Sequence, residues 1–221
     1  MFEVIALRGV AGASISEIAD AAGVARGALH YFFASKDEIN CELMRTLGAR
    51  YVQQLGASLD KRIAQAAAAS DPTLRTRLVG DVARWHFLGD ADDVARRLTV
   101  WIDFWGQAAS HPEIRAVIFE VQERARALFC RALLAQRPEL AELSPEQMRL
   151  HTSALLALVE GTLLQWRFAI SSSVVMSREH MAEAAATAAH AITCAIASGL
   201  PASHRLVTNP RLLRPTPSQA A

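Results

Sequence analysis

Apolar positions recur every three or four residues along nearly the whole chain and nowhere alternate as a strand would, so the pattern predicts an all-α protein. Ile15, Ile18, Ala19 and Ala22 set the phase of a short helix. Ser14 and Glu17 stand at capping-box spacing at its start, and Gly23 is the residue that turns left-handed at low cost at its end. A second short helix follows at once. Val24, Ala28, Leu29 and Phe32 fall on its expected inner face, and Ala25, Arg26, Gly27, His30 and Tyr31 on the outer one. Two short helices around a glycine turn predict a helix-turn-helix whose outer set can enter a DNA major groove.

Upstream, Phe2, Val4, Ile5 and Leu7 predict a first helix of only about two turns before a loop over Gly9 to Gly12. That is a short support for such a head, so a start upstream of Met1 is an alternative. Downstream, Ser35 and Glu38 repeat the capping spacing and open a long helix to roughly Ala68, striped by Leu43, Leu47, Tyr51 and Leu55. Further helices are expected over Thr73 to Leu88, Asp92 to Ala109, Glu113 to Ala135, Pro145 to Ile170 and from Ser177 to Gly199. Pro138 to Leu143 and Ser171 to Ser173 read as breaks. The total is about nine helices. The last carries a stripe of Met181, Ala185, Ala188, Ala189, Ile192 and Ile196, small enough for another helix to approach closely. Residues 201–221, with Pro210, Pro215, Pro217 and Arg205, Arg211, Arg214, read as a disordered basic tail.

Composition narrows the function. The 221 residues are 52% hydrophobic with a formal net charge of +1, and residues 1 to 62 hold seven Lys and Arg against seven Asp and Glu. Binding of a polyanion must therefore rest on a few placed cations rather than on bulk charge. Cys41, Cys130 and Cys194 match no metal or redox spacing and suit small buried residues in a reducing compartment. The acid at position 3 and the lack of a long apolar run argue against a signal peptide, and Glu160 and Arg167 interrupt the greasiest segment, so a cytoplasmic protein without a membrane span is expected. His86, His111, His151, His180 and His190 are scattered, with no zincin motif, nucleophile elbow or phosphate-cradling glycine loop. No enzyme, cofactor or metal is expected.

The run I-S-E-I-A-D-A-A-G-V-A-R-G-A-L-H-Y-F-F-A-S-K-D-E-I resembles the DNA-binding segment of the tetracycline-repressor (TetR) family of bacterial regulators: the inner positions, the turn glycine, Phe33 and Lys36 match together. The segments V-W-I-D-F-W-G-Q-A-A-S-H-P-E-I and A-L-L-A-L-V-E-G-T-L-L-Q-W-R-F-A are similar to the ligand domain of the choline-responsive betaine regulators. The resemblance implies a repressor with a DNA-binding head over residues 1–45 and a helical ligand-binding and dimerisation domain over 46–200. It also marks three departures. Ala25 stands where the family has a hydroxyl that caps the recognition helix, a loss of about 1 kcal/mol of helix stability. His30 stands where the family has a tyrosine, and the usual basic arm is missing before Met1.

Arg26 can fork onto a guanine, and Gly27 lets the backbone come close, with His30 and Tyr31 on the same face. Lys36 is a phosphate clamp, and Ser14 and Ser16 either bind a phosphate at a helix start or simply cap it. Trp85, Trp101, Phe104, Trp105, Phe119 and Trp166 either line a pocket for a small-molecule effector or form ordinary core. Trp101, Phe104 and Trp105 would suit a cage for a cation. Asp103 and Glu160, acids in apolar surroundings, orient a ligand or pair with an arginine. The last two long helices are expected to pair with a second copy, and such a homodimer fits a palindromic double-stranded DNA operator with half-sites ~34 Å apart. The alternative is a helical dimeric scaffold that binds no specific DNA.

Overall fold

A computed structural model describes residues 2–69, 72–169 and 177–198, and all regular structure within them is helical. Helices α1 (Phe2–Gly12), α2 (Ile15–Ala22) and α3 (Arg26–Phe32) form the head, and α4 (Lys36–Ala68) leads out of it. The body contains α5 (Pro72–Thr76), α6 (Leu78–Trp85), α7 (Ala91–Ala108), α8 (Pro112–Gln136), α9 (Pro145–Ala169) and α10 (Arg178–Ala197). The tail expected over 201–221 and the break at Ser171 to Ser173 lie outside the described residues.

Three local expectations are corrected. The helix expected over Thr73 to Leu88 is two helices, because the chain turns at Arg77 and the Val79 amide is taken by the buried Gln136 side chain at 2.9 Å. The described residues therefore hold ten α-helices, and Pro138–Glu142 is a 3₁₀ turn rather than an open loop. Residues 10–12 are helical instead of looped, with the break confined to Gly9 at φ 76°. A side chain at Gly9 would also meet the Asp103 carboxylate at 3.0 Å.

Apolar burial divides into two clusters. The larger joins Leu55 and Leu59 of α4 to Val79, Val82, Phe129, Leu133, Leu155, Val159, Met181 and Ala185. The smaller joins Ile5, Val10, Ile18, Ile39 and Met44 of the head region to Val100 and Phe104 of α7 and Ile114, Val117 and Ile118 of α8. The head thus shares its core with the α7–α8 corner. Helix α4, 33 residues long and so about 50 Å, runs through both clusters without a break at the expected boundary after residue 45. Gly48 lets α4 and α8 come together, since a Cβ there would lie 2.3 Å from Val121 Cγ2. An ion-pair chain, Arg62 to Asp81 at 2.9 Å and Arg84 to Asp81 at 3.1 Å, with Arg84 continuing to Glu183, ties α4, α6 and α10.

Candidate functional site

The head is built by short-range bonds. Ser14 accepts the Glu17 amide at 3.1 Å while Glu17 accepts the Ser14 amide at 2.9 Å, the reciprocal box its spacing predicts. The backbone bond from Ser14 leads the effects that hold the Glu17 carboxyl below its usual range. Gly23 sits at φ 66°, ψ 28°, and the next amide, from Val24, returns to the Ala19 carbonyl at 3.1 Å. Helix α3 then starts from Ala25 with no side-chain cap bond.

Ser14, Ser16, Ala25, Arg26, Gly27, His30 and Tyr31 are all exposed. Phe32 departs from its expected inner position: it is 70% exposed and meets Tyr31 edge-on. Leu29 and Phe33 pack α3 onto the core instead. Lys36 is half-buried and donates to the Ala11 carbonyl at 2.8 Å, which ties α4 to the end of α1 and leaves two further N–H groups.

The body holds a cavity in two compartments that share Tyr51, His86, Leu98, Trp101 and Leu163. The inner one, about 80 Å³, adds Trp105, Gln122 and Glu160; the outer one, about 540 Å³, adds Trp85, Arg50, Arg97 and Phe2 of the head. Tyr51 stacks obliquely or edge-on with Trp85, His86 and Trp101 at centroid distances of 5.7–6.1 Å. His86 Nδ1 lies 2.9 Å from the Val82 carbonyl and Nε2 lies 2.8 Å from the Tyr51 hydroxyl. A carbonyl only accepts, so Nδ1 carries the proton and Nε2 accepts from Tyr51. Burial lowers the His86 pKa to about 4 and pushes the Tyr51 hydroxyl well up. Burial also raises the Glu160 carboxyl, against a bond from Gln122 Nε2 at 3.2 Å and the nearby Arg126. Trp105 Nε1 is buried without a partner.

Trp85, Trp101 and Trp105 are therefore brought together, and three other aromatic candidates are not. Phe104 is fully buried in the head-side core, Trp166 packs on Phe87 at 6.4 Å, and Phe119 is 54% exposed beneath Arg126. The reason is helical phase: on α7, Trp101 and Trp105 line the cavity while packing partly on the head-side core, whereas Phe104, next to Trp105, points wholly into that core. Asp103 shares that face and its carboxylate accepts the Val10 amide just past the Gly9 break. Tyr51, His86 and Leu98 were legible only as core or scattered positions. The available signal was a tyrosine on an apolar stripe, whose buried hydroxyl needs a partner.

Residues 2–41 match the family model for bacterial regulatory proteins of the tetR family, and residues 84–194 match that for the C-terminal domain of BetI-type transcriptional repressors. The chain belongs to the TetR family, with a BetI-type C-terminal domain. It is accordingly a DNA-binding transcriptional regulator, of a family that dimerises and binds small-molecule effectors. Among curated relatives, the transcriptional regulator BetI of Cronobacter sakazakii is 28% identical over 160 residues, covering 71% of this chain and 70% of that one. BetI of Yersinia pestis is 24% identical, covering 71% and 72%. A transcriptional regulator from Pseudomonas aeruginosa PAO1 has the same fold, with a TM-score of 0.68 at 20% identity over 90% of this chain and 86% of that one. A regulator from Saccharomonospora viridis solved in complex with choline has a TM-score of 0.58 at 21% identity, covering 83% and 88%. Among the described residues of this TetR-family chain no helix is long and apolar enough to cross a membrane, and no cluster of His, Cys, Asp and Glu could hold a metal ion.

Proposed function

We propose that this regulator is a cytoplasmic homodimeric repressor that reads a palindromic operator with Arg26, Gly27, His30 and Tyr31 of α3 and releases it when a small organic cation enters the inner compartment. The cavity carries this reading: Tyr51, Trp101 and Trp105 supply ring faces, and Glu160 supplies a half-buried carboxylate, the pairing that recognises an ammonium group. Choline in the Saccharomonospora viridis regulator agrees with it. Residues 1–45 act as the DNA head and 46–200 as the effector and dimer domain.

For the dimer, Leu150, Ala154, Ala157, Gly161 and Phe168 share one outward face of α9, with Leu150 57% and Phe168 66% exposed. Ala184, Thr187 and Ala191 of α10 are exposed as well. Of the small-residue stripe on α10, Met181, Ala185 and Ala189 turn inward while Ala188, Ile192 and Ile196 are half-buried, and a Cβ at Gly80 of α6 would lie 3.0 Å from the Ala186 carbonyl.

The test is a gel-shift titration on the palindrome nearest the gene. Arg26→Ala with Lys36→Ala should weaken binding at least about tenfold, and wild-type affinity should fall steeply with added salt. Unchanged affinity in the double variant contradicts the reading head, and binding indifferent to salt supports a scaffold.

A further inference from the structure

The outer compartment is too large to be explained by an ammonium group that the inner one accommodates, and at about 540 Å³ it lies in the usual range for a ligand site. Its charges are not balanced in their use. Of the two acids that line it, Asp93 is paired with Arg96, and Asp90 Oδ1 accepts the amides of Asp92 and Asp93 at 2.9 and 3.3 Å as the cap of α7. Among the described residues, the two arginines that line it, Arg50 of α4 and Arg97 of α7, have neither an ion pair nor a hydrogen bond. A guanidinium fork matches a carboxylate or a phosphate. The inner compartment is its electrical opposite, with Glu160 among aromatic faces.

We propose that the effector is a zwitterion, with an ammonium end held at Glu160 and the tryptophans and an oxyanion end, carboxylate or phosphate, held by Arg50 and Arg97. This rests on the cation reading above and extends it to the other end of the molecule. Because Phe2 of α1 also lines the outer compartment, the oxyanion end is the part of the ligand that reaches the head.

The test is calorimetric titration of the full chain with three probes: choline, which ends in a neutral hydroxyl, carnitine, which ends in a carboxylate, and phosphocholine. Carnitine or phosphocholine should bind at least about tenfold more tightly than choline, the scale of a charge-assisted pair. The better of the two identifies the oxyanion. Arg50→Gln with Arg97→Gln, at exposed positions, should abolish that advantage and leave choline binding unchanged. Equal affinity for all three probes, or an advantage that survives the double variant, overturns the proposal. Glu160→Gln separates the two levels. If it weakens choline while the arginines prove irrelevant, only the zwitterion is wrong. If it changes nothing, or if no probe binds, the cation reading fails and takes the zwitterion with it.

Discussion

The Val82 carbonyl fixes the tautomer of His86 and burial fixes its charge, and the second has a measurable consequence. Its folded pKa of about 4 lies below the ordinary 6.5, so between these values the unfolded chain binds a proton that the folded one refuses. Stability should fall as pH drops from 6.5 towards 4 and then level off, by up to about 3 kcal/mol in all. His86→Gln, followed by thermal melts across this range, should flatten that part of the profile. Glu160 works in the other direction. Its carboxyl is raised by burial, so a cation that needs the carboxylate should bind more weakly as pH falls through the raised value, and Glu160→Gln should remove the dependence. Neither property was legible in the sequence. Glu160 stood out as an acid in apolar surroundings, but its partner Gln122 is 38 positions away and only packing brings the two together.

At the scale of the helix, local chemistry carried most of the information. The capping boxes at Ser14 and Ser144 and the caps at Ser35 and Ser177 start helices where their spacing predicts, because the bonds involved span three residues. What periodicity does not encode is which neighbour an apolar face meets. Phe104 is buried wholly in the head-side core while Trp101 packs on that core and also lines the cavity, and Ala185 and Ala189 of α10 are buried within their own chain. Gly48 illustrates the tolerance at such contacts. Gly48→Ala should lower stability by ~1–2 kcal/mol in urea unfolding, the strain of displacing Val121 exceeding the gain in helix propensity. On α9, Leu150→Glu with Phe168→Glu should convert the dimer to monomer in sedimentation, since both side chains are outward and apolar.

Across the whole molecule, α7 is the element that faces both ways. One side gives Leu98, Trp101 and Trp105 to the cavity, and the other gives Val100, Asp103 and Phe104 to the head. A ligand that prefers one setting of α7 must shift the head towards the matching setting by its differential binding. Asp103→Ala, which frees the Val10 amide, should leave effector binding intact and reduce its effect on the operator. The most direct test of the account is operator affinity measured with and without a saturating ammonium ligand, choline as the first probe, in wild type and in Trp101→Ala. The ligand should weaken operator binding by wild type, and Trp101→Ala should bind the operator normally but no longer respond. A variant that loses both properties, or neither, contradicts it.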